Sequence, residues 1–481
     1  MTYTSESAPC EDLTPDLPTI ANSRKGPHER MPVAHTMLRE LDANFGRPAA
    51  ERRPWWTDLR ATLGSTAGQG GLALFDQFVV SGASFLTTVL IGRNCTENEL
   101  ALYALASSVV ILGTSLQLAI ISVPYSIHGT RLPDEDRPGY AGSTLAHQLM
   151  LSGLLATGMG VAAFAIAWTG GTVISAATAA TLAAVIVPVL LKEYIRRVEM
   201  AHLRVAAACR LDAAVATLQI GGLLFLVYQA LLSARTAFAM IGVACGLAAA
   251  RALWSRRAGY ALRLANVGND FRRSWALGKW VLAAQAINAV VGSIVPWLLV
   301  LLRPTTAETA VFSACQGVAL LANPFLLGMS GFVGPKAAHA FTAGGMHELR
   351  LVVSRMAWFI SAVAAMFVVV MLAFGEQLVV ALYGSQYAGR GATVCMLAAS
   401  VFVYAISLAP DLGLWAMERA ELNVRPRLFG LAVTLVAGLV LVPSFGVLGG
   451  ACSFLAGNAV ASVGIIVIYR NVVVSHDRSH A

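Results

Sequence analysis

The chain has 481 residues, of which 57% are hydrophobic and only 12% charged, with a mean hydropathy of +0.67; an ordinary soluble protein carries roughly 25% charged residues. A soluble multidomain protein is excluded, because the apolar residues fall in runs of about twenty, the length of a membrane-crossing helix. The net charge of +8 does not point to nucleic acid either, since the basic residues cluster in alternate short connections between the apolar runs.

In chain order, residues 1–68 are rich in Pro, charge and small polar residues and read as a disordered cytoplasmic tail. The tail has no apolar core of the kind a cleavable signal peptide needs. Its end, Arg52-Arg53-Pro54-Trp55-Trp56, suits an anchor at headgroup depth. Twelve spans follow, at about 69–91, 100–124, 144–168, 172–191, 213–232, 236–254, 276–302, 308–334, 352–374, 391–411, 428–443 and 447–469. One set of connections holds 22 Lys and Arg residues and the alternate set holds 4, namely Arg93, Arg235, Arg303 and Arg390. This bias places both termini in the cytoplasm of a multi-pass inner (plasma) membrane protein. The seven cysteines stand singly, without ligand spacing, so neither a metal site nor a disulfide framework is expected.

A basic connection at 255–275 divides the chain into a six-helix lobe at 69–254 and another at 276–470, with a cytoplasmic tail at 471–481. The halves repeat: Gln77 with Gln285, Arg93 with Arg303, Glu99 with Glu308, Tyr103 with Phe312 and Pro124 with Pro335 recur at offsets of 208–211. Six is even, so the repeats are parallel. The expected fold is an all-α polytopic membrane protein of about 12 transmembrane helices in two lobes around a central pathway.

Three segments carry a family resemblance. Glu99-Leu100-Ala101-Leu102-Tyr103-Ala104-Leu105-Ala106 resembles the E-x-G-x-Y-A-x-A start of the second span in polysaccharide exporters of the multidrug/oligosaccharidyl-lipid/polysaccharide (MOP) superfamily. Leu382-Tyr383-Gly384-Ser385-Gln386-Tyr387-Ala388, after Phe374-Gly375-Glu376, resembles their external connection between spans nine and ten. Phe445-Gly446-Val447-Leu448-Gly449-Gly450-Ala451 resembles their F-G-x-x-G-A-A link between the last two spans. Two positions depart from the pattern: Ala101 stands where the family prefers Gly, and the link Ser233–Phe238 lacks its glycine-rich form. The resemblance covers about 70–470 and implies a Wzx-type flippase that moves polyprenyl-diphosphate-linked oligosaccharide to the outer leaflet for cell-surface polysaccharide synthesis. Its implied partners are the lipid-linked glycan, membrane lipids and polysaccharide assembly proteins. No cofactor is implied beyond coupling to protons or sodium.

Such a substrate needs a polar cavity and a cation. Gln77, Ser81, Ser84 and Thr88 form one helical stripe in span 1, and Gln285, Asn288, Gly292 and Pro296 form the corresponding stripe in span 7. Ser and Gly at such positions also pack helices, so Gln77, Gln285 and Asn288 are the cavity candidates. Asp76, about 10 Å along span 1, is a candidate ion-coupling residue, since a mid-helix carboxylate faces a cavity or a partner. A structural pair with a nearby Lys or Arg is its second reading. Arg93 and Arg303 occupy equivalent outer helix ends, where they read as helix-end arginines or as contacts for a diphosphate. No Lys or Arg is expected in mid-span, and Asp411 and Glu418 are expected in a connection. Pro296 and Pro324 are candidate break points. A multidrug or cation antiporter of the same superfamily competes with this reading, and Asp76 suits it. A membrane glycan polymerase is disfavoured by the short external connections and the lack of a phosphate-binding, HExxH or nucleophile-elbow motif.

Overall fold

The computed structural model describes residues 55–129, 132–169, 175–261, 264–303 and 305–480. Most of the tail, including Arg52 and Arg53, lies outside the described residues. Those described form α1 (Trp55–Asn94), α2 (Glu97–His128, with a π turn at Leu118–Ser122), α3 (Arg137–Thr169), α4 (Ala176–Ala201), α5 (Val205–Tyr228) and α6 (Ala234–Ser255). The second half comprises α7 (Leu264–Leu302), α8 (Ala307–Ala319), α9 (Asn323–Tyr383), α10 (Gly391–Ala416) and α11 (Val424–His480). Two helices begin inside segments expected to be irregular. α1 starts at Trp55, and α7 starts at Leu264, where His147 Nε2 meets the Val267 carbonyl at 2.8 Å and the Tyr140 hydroxyl meets Ser274 at 3.2 Å.

Among the described residues, ten helical stretches are long and apolar enough to cross a membrane. Two of these are double. A straight helix the length of α9 would run ~90 Å, three times the hydrocarbon core, yet Phe325 and Phe359 bring their rings to 6.4 Å. The helix folds back at Gly345, whose φ is +62°. α11 does the same at Gly446 (φ +55°), where a Cβ would lie 2.8–2.9 Å from the side chains of Glu308 and Arg303, so the glycine of the last link is required both by its dihedral and by its surroundings. With these two counted as double, the described residues form the expected all-α fold in two lobes, with twelve passes.

The parallel repeat is visible in the backbone. α4 ends with Leu203 at φ +57°, its N–H bonded to the Met200 carbonyl, and with Arg204 N–H bonded to Glu199 at 2.9 Å. α10 ends with Glu418 at φ +57°, its N–H bonded to Trp415, and with Arg419 N–H bonded to Leu414 at 3.0 Å. The same left-handed helix stop thus recurs at an offset of 215. At the other end, Ala230 (φ +55°) occupies the place of Gly446. This is why the link between spans five and six manages without its glycine: Ala230 accepts the strain, and Ser233 and Thr236 form a capping box for α6.

The cores show how the lobes meet. One cluster joins both lobes at the end that carries Arg93 and Arg303: Ile91, Leu100 and Phe238 pack with Phe312, Tyr383 and Val394. At the other end each lobe has a core of its own, around Tyr125, Tyr194 and Ala248 in the first and Val353, Leu408 and Tyr469 in the second. The lobes are therefore sealed together at the sparsely charged end. The seam also includes Trp297 Nε1 donating to Ser108 Oγ at 2.8 Å and Gln386 Nε2 donating to the Gly92 carbonyl at 3.1 Å.

Candidate functional site: two charge clusters and a polar cavity

In the first lobe, α4 outruns the span expected from hydropathy by ten residues and carries Lys192, Glu193, Arg196 and Arg197 as helix, not as connection. Hydropathy ends the span at the charges, but the helix continues because they pair internally. The tight α4–α5 turn sets Arg196 opposite Asp212, 16 residues later, and Arg196 Nε donates to Asp212 Oδ2. Its Nη2 donates to Asp76 Oδ2 at 2.7 Å, and Lys192 Nζ lies 2.5 Å from Asp212 Oδ1. Glu193 takes up Arg197 at 2.8 Å. Asp76 and Asp212 are fully or almost fully buried. Three carboxylates face three cations, so the group is formally neutral, as burial demands. Asp76 is thus paired, as its second reading has it, and its partner Arg196 also holds Asp212.

The second lobe repeats the arrangement with the charges exchanged. Asp411 stands on α10 where Arg196 stands on α4, and Arg427 stands on α11 in place of Asp212, again 16 residues apart. Arg427 Nη2 donates to Asp411 Oδ2 at 2.7 Å and its Nη1 to Asn288 Oδ1 of α7 at 2.6 Å, while Asn423 Nδ2 donates to the other Asp411 oxygen. Two expectations are corrected by this. Asp411 is not a connection residue but lies inside α10, 7% exposed, stabilised by Arg427. Cations inside a helix do exist, in Lys192 and Arg196, each sheltered by a carboxylate, whereas Arg427 lies in the first turn of α11. Glu418 is a turn residue, as expected.

Beside this second cluster lies a cavity of about 480 Å³ whose polar wall includes Asn288, Asn323, Ser400, Arg427, Asn458 and Ser462. Asn458 Nδ2 donates to Ser400 Oγ at 2.6 Å, which fixes the amide as part of the wall. Asn288 and Gly292 of the span 7 stripe line this cavity; Gln285 is half-buried one turn away and is not among its lining residues. Gln77 turns to its own helix, donating to Ser81 Oγ at 3.0 Å. Arg93 Nη1 donates to the Ala381 carbonyl at 2.9 Å, and Arg303 is held by Glu308 at 3.1 Å and by the Pro443 carbonyl at 3.2 Å. Arg93 therefore closes a helix end across the sealed interface, whereas Arg303 closes one within its own lobe. Glu99, first residue of the resemblance, accepts the Ala234 N–H at 2.5 Å and so caps α6. Thr309 Oγ1 reaches the carbonyl of Pro296, the proline inside α7, at 3.4 Å.

Arg427, Asp411, Arg196 and Asp212 were missed as site residues when the chain was read by hydropathy. The signal that finds them is an opposite-charge pair 16 residues apart across a helix turn, recurring at the repeat offset with the signs exchanged.

No family model and no curated protein matches the sequence. Among solved structures, the fold is similar to an inward-facing multidrug-resistance MATE transporter of the MOP superfamily (TM-score 0.70, 14% identity, 84% of this chain and 96% of that one). It is also similar to a MOP-superfamily transporter from Pyrococcus furiosus Vc1, for which a reversed polarity of the binding pocket is taken to suggest a different function (TM-score 0.64, 13% identity, 85% and 96%). A mutant of the Vibrio cholerae MATE transporter VcmN matches at a TM-score of 0.62 and 14% identity, over 85% and 96%. The chain thus has the two-lobed MATE fold and is a multi-pass membrane protein.

Proposed function

We propose that the protein is a membrane transporter that carries a polyprenyl-diphosphate-linked oligosaccharide from the cytoplasmic to the outer leaflet by alternating access of its two lobes, with both termini in the cytoplasm. The observation that carries the reading is the second-lobe cavity: its volume is in the range of small-ligand sites, its wall offers amides and hydroxyls to sugar, and Arg427 offers a guanidinium to diphosphate. The motifs at Glu99, Tyr383 and Gly446 support the substrate class. In this scheme Arg427 exchanges its Asn288 bond for a phosphate oxygen while Asp411 keeps it oriented. Release from the joined end requires the shared core around Phe312 and Tyr383 to part.

Asp76 supplies the coupling. Protonation removes its charge and frees one arm of Arg196, which Asp212 retains, so the cluster passes from neutral to singly positive and α1 loses its tie to α4. The driving ion is a proton or sodium. A second reading, a multidrug antiporter, is favoured by the same residue, because a buried carboxylate in the first span suits exchange of cations. The test reconstitutes the protein in vesicles and measures flipping of a prenyl-diphosphate glycan against efflux of a cationic dye. Flipping without dye efflux supports the first reading, and the reverse supports the second.

A further inference from the structure

We propose that the basic end of the first lobe binds an anionic phospholipid, in two adjoining cavities between α3, α4, α5 and α6. One, of about 580 Å³, is bordered by Arg137, His202, Arg204 and Arg256; the other, of about 710 Å³, by Arg210, Arg251 and Arg256. Glu199, Ser255 and Arg256 border both. Five arginines face two carboxylates. Glu199 is taken by Arg204 at 2.9 Å and Arg256 at 3.2 Å, and Asp134 by Arg137. Among the described residues, Arg210 and Arg251 have no ion-pair partner, and both are exposed at the second cavity.

The local potential is registered by His202, just beyond α4, whose imidazole is pushed below its ordinary range by burial and then by Arg204, Arg137 and Arg256. Tyr125 Oη is 2.9 Å from its Nε2. An anion is what this end lacks. The second cavity selects a lipid over free phosphate, because its inner wall is apolar, formed by Ala207, Leu211, Ala214 and Ala248 between α5 and α6. The wall continues to the exposed side chains of Leu218, Leu247 and Trp254. Arg257 stacks its guanidinium 4.9 Å above the Trp254 ring, a combination suited to headgroup depth. The headgroup phosphate then meets Arg210, Arg251 and Arg256 while an acyl chain lies along the alanines, as in basic pockets between membrane helices generally.

The experiment measures binding of phosphatidylglycerol, phosphatidylcholine and inorganic phosphate to the full chain in detergent, by native mass spectrometry and by the shift in melting temperature. Phosphatidylglycerol should bind and raise the melting temperature, while the other two at equal concentration should not. R210Q combined with R251Q should weaken phosphatidylglycerol binding about 25-fold, at about five-fold per arginine, with an unchanged lipid-free melting temperature. Equal binding of phosphatidylcholine, equal protection by inorganic phosphate, or an unaltered affinity in the double variant would each overturn the proposal.

Discussion

The two lobes place opposite charges at the same two points of the same helix hairpin, and differ in how fully they are enclosed. In the first lobe the pair is sealed among Asp76, Lys192 and Glu193, and Asp212 is almost completely buried with two cations on it. In the second lobe Arg427 is more open, shares its guanidinium with one carboxylate and one amide, and borders the polar cavity. A duplicated hairpin therefore keeps its geometry while its polarity is inverted. On the proposed reading the enclosed version holds or loses a proton, and the open one meets an anion.

The largest effect is expected from Asp212→Asn, which leaves Lys192 and Arg196 buried with too little negative charge. Breaking one side of such a group costs ~3–5 kcal/mol, so the variant should be nearly absent from membrane fractions. Normal levels would mean that the first-lobe cluster is hydrated and not structural. Next, Arg427→Gln should cut glycan flipping at least ten-fold per molecule in the membrane, with a lowered but measurable level, because Asp411 loses its cation and keeps Asn423. The double exchange Asp411→Arg with Arg427→Asp should restore the pair but not the transport, and recovery of transport by the swap would show that only the pair matters.

Asp76→Asn is expected to abolish gradient-driven transport while preserving equilibrium exchange and most of the membrane level, since Asp212 still holds both Arg196 and Lys192. Unchanged rate and pH dependence in that variant would assign Asp76 to structure. Replacing Gln77 with Leu should reduce transport less than replacing Asn288, because Gln77 is satisfied by Ser81 on its own helix. Equal losses would place both lobes' stripes on the pathway.

The smallest effect is on stability against pH. The depressed pKa of His202 means that the unfolded chain takes up the proton first, so the folded state loses stability as the pH falls below about 6.5, the ordinary value for histidine. His202→Gln should flatten the melting-temperature profile between pH 7.5 and 5, and an identical slope would remove His202 from the account.

Twelve passes, the parallel repeat and the turn at Gly446 were legible in the chain because hydropathy, offset and glycine each act locally. Asn288, which the stripe singles out, borders the second-lobe cavity, and its amide oxygen accepts from Arg427. The charge clusters were not legible by the same rules. A run such as Lys192-Glu193 resembles the end of a span until Asp212 and Asp76, on other helices, neutralise it. Asp411 lay at the expected end of its span for the same reason. Gln77 donates to Ser81 on its own helix, a local bond that periodicity alone does not distinguish from a place on a cavity wall.

The most direct test of the central claim, that the second-lobe cavity receives the substrate's anion through Arg427, is a flipping assay in proteoliposomes with wild type, Arg427→Lys and Arg427→Gln, using a prenyl-diphosphate glycan and its dephosphorylated prenol-linked analogue. The account predicts that wild type discriminates strongly for the diphosphate, that Lys retains part of this preference, and that Gln abolishes it while both variants remain in the membrane. An Arg427→Gln protein that flips the diphosphate substrate at the wild-type rate would contradict it.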